Sequence, residues 1–256
     1  MIVTTDHETE NGSIRELRLD RPPANALDPG LIAALESAVR EAPDSGARAL
    51  IISGRPGLLS GGLDVPHLLT LGREGIFETW KSFYAMMRAI VASPIPVAAA
   101  ITGHAPAGGA VISILCDHRV MAGGDWKIGL NEVHVGIPLP PVILIALQRL
   151  VGFREAERLV VSGVLVSASE ALEIGLVDDL APSDEVIQAA LDHCQALLKL
   201  PPKALAETRR RARADLHRAF EAAGSEEIEG VLDGWFSDET QAALRAVAER
   251  LAKRKG

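Results

Sequence analysis

Aromatic side chains make up only 4% of this 256-residue chain, three Trp, one Tyr and five Phe, so its core must be built mainly from Ala, Leu, Val and Ile. Cysteine is scarcer still. Cys116 and Cys194 both lie in apolar surroundings and cannot staple a chain of this length, which points to a reducing compartment. Positive charge is in deficit, with 26 Lys plus Arg against 34 Asp plus Glu. The formal charge of −8 disfavours nucleic acid or an anionic membrane as the main partner. The most apolar stretch, Ala89 to Ile101, is broken by Pro94 and Pro96 and falls short of the roughly 20 residues of a membrane span. Gly-x-Gly-x-x-Gly, P-loop, His-Glu-x-x-His and Cys-x-x-Cys patterns are all missing, so nucleotide hydrolysis, hydride transfer and a dedicated zinc site drop out first. Residues Met1 to Glu8 show neither a basic segment before an apolar run nor an Arg-rich, acid-poor bias, and a cytoplasmic location is expected.

What is present alternates between strand and helix. Asn11-Gly12 sits before the alternating Ile14-Arg15-Glu16-Leu17-Arg18-Leu19 and predicts a hairpin. Asp28-Pro29 predicts a capped helix start, with Leu31, Leu35 and Val39 on one face. Ala49 to Ile52 reads as a buried strand, Thr79 to Ala92 as an amphipathic helix, Pro96 to Ile101 as a second buried strand, Ala107 to Leu115 as a helix opened by small residues, and Asp117 to Met121 as a strand. From Pro141 onward no strand is expected. Ser167-Ala168-Ser169-Glu170 fits a capping box, and Ser237-Asp238-Glu239 starts another helix. An α/β core over residues 1–190 is therefore expected, followed by a helical lid or oligomerisation region over residues 191–256.

Two glycine pairs and one glutamate carry the chemistry. Gly61-Gly62 follows a strand and loop, and Gly108-Gly109 opens a helix. Each presents bare backbone N–H groups, and at a helix N-terminus such donors lack intrahelical partners and hold a developing oxyanion well. Taken singly, each pair reads first as a tight turn or close packing. Glu132 lies in the apolar run Ile128 to Ile137, where desolvation raises a carboxylate pKa toward neutrality and makes it a candidate base. Trp80, Phe83, Met86 and Met87 share one helix face and read as core, with an acyl-chain wall as the alternative.

Leu59-Ser60-Gly61-Gly62-Leu63-Asp64, then Gly103 to Gly109 ending in Cys116-Asp117, then Gly129-Leu130-Asn131-Glu132 with Gly136-Ile137-Pro138, together resemble the enoyl-CoA hydratase/isomerase (crotonase) superfamily. Arg21 to Leu27 and Ser169 to Asp178 extend the resemblance to nearly the whole chain. It implies a core of repeated ββα units and a C-terminal helical trimerisation region. It also implies an acyl-CoA thioester substrate, with coenzyme A part of the substrate and no separate cofactor or metal. By motif position the oxyanion donors are the N–H groups of Gly61 and Gly108, and Glu132 is catalytic. Coenzyme A and substrate are expected against Ala24, Ala26, Leu27, Leu63, Asp64 and Val65, with a homo-oligomer that is a trimer or a dimer of trimers.

The hydratases of this superfamily carry a second glutamate at the position of Val111, which joins the expected substrate-contacting residues. Its absence favours a single-carboxylate reaction, and the chain looks most like the mitochondrial-type Δ3,Δ2-enoyl-CoA isomerases of fatty-acid β-oxidation. Gly61 in place of a commoner alanine and Leu139-Pro140-Pro141 in place of a glycine-rich segment depart from the pattern. The alternatives are hydration, thioester hydrolysis drawing on Ser60, Ser113, His104, His118, His134 or Asp117, and an inactive CoA-binding homologue. His104 reads as a pocket or a structural histidine. The basic end Arg250, Lys253, Arg254 and Lys255 reads as a solvated helix terminus.

Overall fold

The computed structural model describes residues 1–253, and of residues 225 and 226 the backbone alone; Arg254 and Lys255 of the basic end lie outside the described residues. Strands β1 (Ile2–Thr9) and β2 (Gly12–Leu19) form the expected antiparallel hairpin, Thr9 paired with Gly12. Helix α1 (Pro29–Glu41) starts where Asp28 and Pro29 predict. The Asp28 carboxylate accepts the Leu31 N–H at 2.7 Å, and Leu31, Ile32, Leu35 and Val39 are buried.

Three turns of the chain then repeat one pattern, in which a strand for a large sheet is followed by a strand for a small sheet and then a helix. They are β3 (Ala47–Ser53), β4 (Gly57–Leu58), the short α2 (Val65–Leu68) and α3 (Arg73–Ala92); β5 (Val97–Ile101), β6 (Gly103–Pro106) and α4 (Gly108–Leu115); and β7 (His118–Ala122), β8 (Lys127–Gly129), a 3-10 turn (Glu132–Val135) and α5 (Pro141–Val151). After α6 (Phe153–Ser162) come β9 (Val166–Ser167), α7 (Ala168–Glu173) and β10 (Asp179–Ala181). The large sheet has the order β1-β2-β3-β5-β7-β10 and is parallel beyond the hairpin; the small sheet has the order β4-β6-β8-β9. This is the expected α/β core of ββα units.

Strand periodicity divides the large sheet between two cores. Leu50, Ile52, Ala99 and Ile101 face α1, α3 and α4, whereas Ala49, Ile51, Ala98 and Ala100 face the other way. The second face is closed by α8 (Val186–Leu198), which lays Val186, Ala190, Leu191, Cys194 and Leu198 on it. The expected boundary at residue 190 thus falls inside a helix that belongs to the sheet. The helices that leave it are α9 (Pro202–Ala212), α10 (Ala214–Ala222), α11 (Ser225–Trp235) and α12 (Asp238–Lys253). Asp117 anchors α9 and its junction with α10. Its carboxylate accepts from Arg209 at 2.7 Å, from Arg213 at 2.8 Å and from the Val97 amide at 2.8 Å.

Two strands contradict the expectation of none beyond Pro141. β9 and β10 have two and three residues, too short to show alternation, and pair with β8 and β7.

Candidate active site

Strand β6 delivers its chain end into α4, so Gly108 is the first helical residue, with Ala107 at φ +47° before it. The Gly108 amide has no acceptor among the described residues, as expected for the first N–H of a helix. Beside it runs the loop after β4. There the Gly61 N–H donates to the Ala24 carbonyl at 2.9 Å, and the Gly62 N–H donates to the Ser60 hydroxyl at 3.1 Å. Gly61 was expected to supply an oxyanion donor. The structure corrects this, because its N–H is already committed to tying the loop to residues 24–27. The next amide, that of Leu63, has no acceptor among the described residues. Its flanks are fixed on either side by Leu27 N–H to Gly62 (2.8 Å) and Asp64 N–H to Leu27 (3.0 Å). Leu63 and Gly108, in the two loops that meet there, thus each present an open amide at the cavity.

In the next unit, β8 runs through Leu130-Asn131 into the 3-10 turn, whose first residue is Glu132. The Glu132 carbonyl accepts from Ile137 N–H at 3.2 Å, and Gly136, at φ +72°, ends the turn in the left-handed region. Oε2 of Glu132 is buried and has no hydrogen-bond partner among the described residues, and Oδ1 of Asn131 shares that condition. Desolvation pushes the Glu132 carboxyl up to about 7, against a small downward pull from its own backbone N–H.

Glu132, Leu63 and Gly108 line one cavity of about 930 Å³. Much of the rest of its wall is apolar, with Trp80, Phe83, Ile137, Ile143 and Leu165 prominent, and Asn131, His134 and Arg250 are its other polar members. Trp80 and Phe83 meet edge to face with centroids 5.7 Å apart and are nearly fully buried, so they are core and cavity wall at once. Met86 and Met87 are wholly core. The last helix returns to the site, and Val247, Arg250 and Leu251 close one side. The sequence marks Arg250 only as part of a solvated basic end, a reading its place in the lining corrects, and no motif marks Val247 or Leu251, although Leu244, Val247 and Leu251 form a helical stripe.

Other expected contacts lie elsewhere. Val65 lines the cavity, but Leu27 is buried beneath Gly108, and a methyl placed on Gly108 would come within 2.6 Å of its Cδ1. Asp64 caps α2 and pairs with Arg21 at 2.7 Å. Ala24 and Ala26 are half-buried and outside the cavity lining, and their carbonyls accept from Gly61 and Arg21. Val111 is corrected as well. It is 1% exposed, packs in the core and does not line the cavity, because α4 turns this position toward the protein interior.

The hydrolase alternative finds no assembled triad among the described residues. The Ser113 hydroxyl donates to the Gly109 carbonyl of its own helix at 2.8 Å, Ser60 donates to Asn25 at 2.8 Å, and Asp117 is the helix anchor described above. His104 is structural, with Nδ1 accepting the Lys127 N–H at 3.1 Å and its ring edge-on to Trp126. His134 does line the cavity, and its Nε2 donates to the Ser162 carbonyl at 3.0 Å.

A family model described as enoyl-CoA hydratase/isomerase matches residues 9–254. The mitochondrial enoyl-CoA delta isomerase 1 of Mus musculus is 31% identical over 257 residues, spanning 97% of this chain and 88% of its own length. The probable enoyl-CoA hydratase EchA17 of Mycobacterium tuberculosis is 32% identical over 228 residues, spanning 89% of this chain and 85% of its own. Among solved structures, human mitochondrial delta3-delta2-enoyl-CoA isomerase superposes with a TM-score of 0.94 at 26% identity, covering 100% of this chain and 99% of that one. The human, mouse and rat relatives are mitochondrial proteins, which overturns the cytoplasmic expectation drawn from residues Met1 to Glu8. A family match over nearly the whole chain, relatives of this identity and a shared fold lead to one conclusion: the chain is an enzyme of the enoyl-CoA hydratase/isomerase family.

Proposed function

We propose that this enzyme moves the double bond of a 3-enoyl-CoA thioester to C2, with Glu132 as the single proton carrier. One observation carries the reading. Glu132 is the only carboxylate lining the cavity among the described residues, its Oε2 has no partner, and the open amides of Leu63 and Gly108 line the same space.

In this reading the thioester oxygen accepts hydrogen bonds from Leu63 and Gly108. Glu132 removes a proton from C2, and the C–H electron pair delocalises through C2 into the carbonyl, giving a dienolate whose oxygen carries the negative charge. The two amides stabilise that charge where it develops, and one such donor is worth roughly 3 kcal/mol. Protonated Glu132 then returns the proton to C4, the 3,4 double bond is lost, and the 2,3 double bond conjugated to the thioester remains. A carboxyl poised at about 7 suits both directions of transfer near neutrality.

Hydration of a 2-enoyl thioester by paired carboxylates lacks its second member, since Glu132 is the only carboxylate lining the cavity among the described residues and the position that the resemblance matches to the second glutamate is Val111. Coenzyme A enters as part of the substrate, and no further cofactor is needed. Leu63 and Val65 form the inner wall beside the thioester, while the Ala24–Leu27 segment supports it through Leu27 and the Ala24 carbonyl. Exposed Phe153 and Val161 on α6 support the homo-oligomer expected for such a chain, and a monomeric mass in solution at micromolar concentration removes that part of the reading.

The test is a screen of purified protein with 3-enoyl-CoA and 2-enoyl-CoA thioesters of graded length. The expected product from the first is 2-enoyl-CoA. Rapid formation of 3-hydroxyacyl-CoA, or release of free coenzyme A, assigns another reaction.

A further inference from the structure

Helix α12 does more than wall the cavity. Its first turn is locked to the far end of the turn that carries Glu132. The Thr240 side chain is 2% exposed, and its hydroxyl donates to the Gly136 carbonyl at 2.7 Å. That hydroxyl in turn accepts from Ser237 Oγ at 3.0 Å, and the Ser237 oxygen also takes the Thr240 N–H at 3.2 Å as the cap of α12. The approach is close enough to require glycine at 136. A methyl there would stand 2.8 Å from Thr240 Oγ1 and 3.1 Å from its Cα, at a φ of +72° that other residues rarely adopt.

Gly136 is the C-terminal cap of the 3-10 turn, and its N–H bonds back to carbonyls of Glu132 and Val133. A four-residue 3-10 turn has few hydrogen bonds of its own, and it is anchored from outside at only a few points. His134 Nε2–H to Ser162 is one, and Thr240 to Gly136 is another. Only the second comes from the helix that also brings Val247, Arg250 and Leu251 to the cavity.

We infer that Thr240 is a positioning residue for the reaction: its hydroxyl, relayed from Ser237, fixes the Glu132 turn through Gly136 and so couples the seating of α12 to the aim of the carboxylate. This rests on Glu132 being the base. A carboxylate displaced by about an ångström loses much of its advantage, so the effect falls on the chemical step more than on substrate binding. Freeing the turn also admits water to Oε2. The acid limb of the pH profile then moves toward the ordinary carboxylate range, the other titratable or charged groups lining the cavity among the described residues being His134 and Arg250.

Three variants separate the hydroxyl from the space it fills. Thr240→Val keeps the shape and removes the donor, whereas Thr240→Ser and Thr240→Ala both lose the methyl and differ only in the hydroxyl. Steady-state kinetics with a 3-enoyl-CoA, in full-length protein with thermal unfolding measured alongside, are expected to show kcat lowered roughly ten- to hundredfold in Thr240→Val and Thr240→Ala. KM is expected to stay within about threefold, the acid limb of kcat to move to lower pH, and Thr240→Ser to recover most of the rate. Should Thr240→Val not fold, the Ser and Ala pair still decides. Equal kcat in Ser and Ala, or a loss confined to KM or stability with the pH profile unmoved, overturns the inference. Glu132→Gln assayed in parallel keeps the two ideas apart: if that variant turns over normally, it is the base assignment that fails.

Discussion

Gly62 lies against Gly108 so closely that a methyl on Gly62 would stand 3.3 Å from the Gly108 nitrogen and 2.9 Å from the Ala107 side chain. Two loops from successive ββα units are thus brought together at their glycines, and the open amides of Leu63 and Gly108 flank that contact. Gly62 is at φ +87°, so the tight approach also needs the left-handed backbone that glycine adopts without strain. Gly62→Ala is expected to lower kcat/KM about a hundredfold by prising the two donors apart. It should also cost roughly 1–3 kcal/mol of stability. Kinetics and denaturant unfolding of the same preparation check both, and a near wild-type rate would show that the donors do not act as a pair.

The base must be ionised to accept a proton. With the Glu132 carboxyl at about 7, kcat/KM for a 3-enoyl-CoA is expected to rise through a single ionisation near that pH and level off above it. A midpoint in the ordinary carboxylate range would mean that Oε2 is solvated in the working enzyme.

The same raised pKa has a consequence for stability. Between about 4.5 and 7 the native state holds a proton that the unfolded chain has released, so stability from this group is present at acid pH and falls as pH rises through that window. Glu132→Gln is neutral throughout. It is expected to match wild type near pH 4 and to be more stable near pH 8 by roughly 1–2 kcal/mol, discounted for the solvent-facing part of the side chain. Unfolding midpoints of both proteins at the two pH values measure this, and equal stability near pH 8 contradicts a desolvated carboxylate.

Much of the architecture is visible in the sequence because it rests on local signals. Asn11-Gly12, Asp28-Pro29, Ser167 with Glu170, and Ser237 all act within four residues, and each is found as a turn or cap. Glu132 is legible for a similar reason, since its apolar neighbours foretell desolvation. What escapes is set by distant partners. Nothing near Gly61 says that its amide is taken by Ala24, thirty-odd residues away, leaving Leu63 as the open donor. Trp80 and Phe83 have the spacing of core residues and are core, yet the same rings wall the cavity. The return of α12 over the site depends on tertiary packing that no periodicity encodes, and β9 and β10 are too short to leave a pattern.

Position 111 illustrates the point. The family resemblance implies a pocket residue, but Val111 is 1% exposed within the core. A carboxylate introduced there has to be desolvated or protonated. Val111→Glu is expected to lose roughly 2–4 kcal/mol of stability near pH 8, and part of that should return near pH 5 as the new side chain takes up a proton. Thermal unfolding at the two pH values checks it, and an unchanged midpoint would place the side chain in contact with solvent.

The central claim is that Glu132 alone carries the proton between C2 and C4, and product analysis of one substrate tests it most directly. Purified wild type and Glu132→Gln are given the same 3-enoyl-CoA near pH 8, and products are identified by mass and by the absorbance of the conjugated thioester. The predicted result is 2-enoyl-CoA from wild type, and a rate lower by at least about a hundredfold from Glu132→Gln, whose affinity for a non-reactive acyl-CoA stays within about threefold of wild type. Undiminished isomerisation by the variant, or 3-hydroxyacyl-CoA or free coenzyme A as the main wild-type product, contradicts the account.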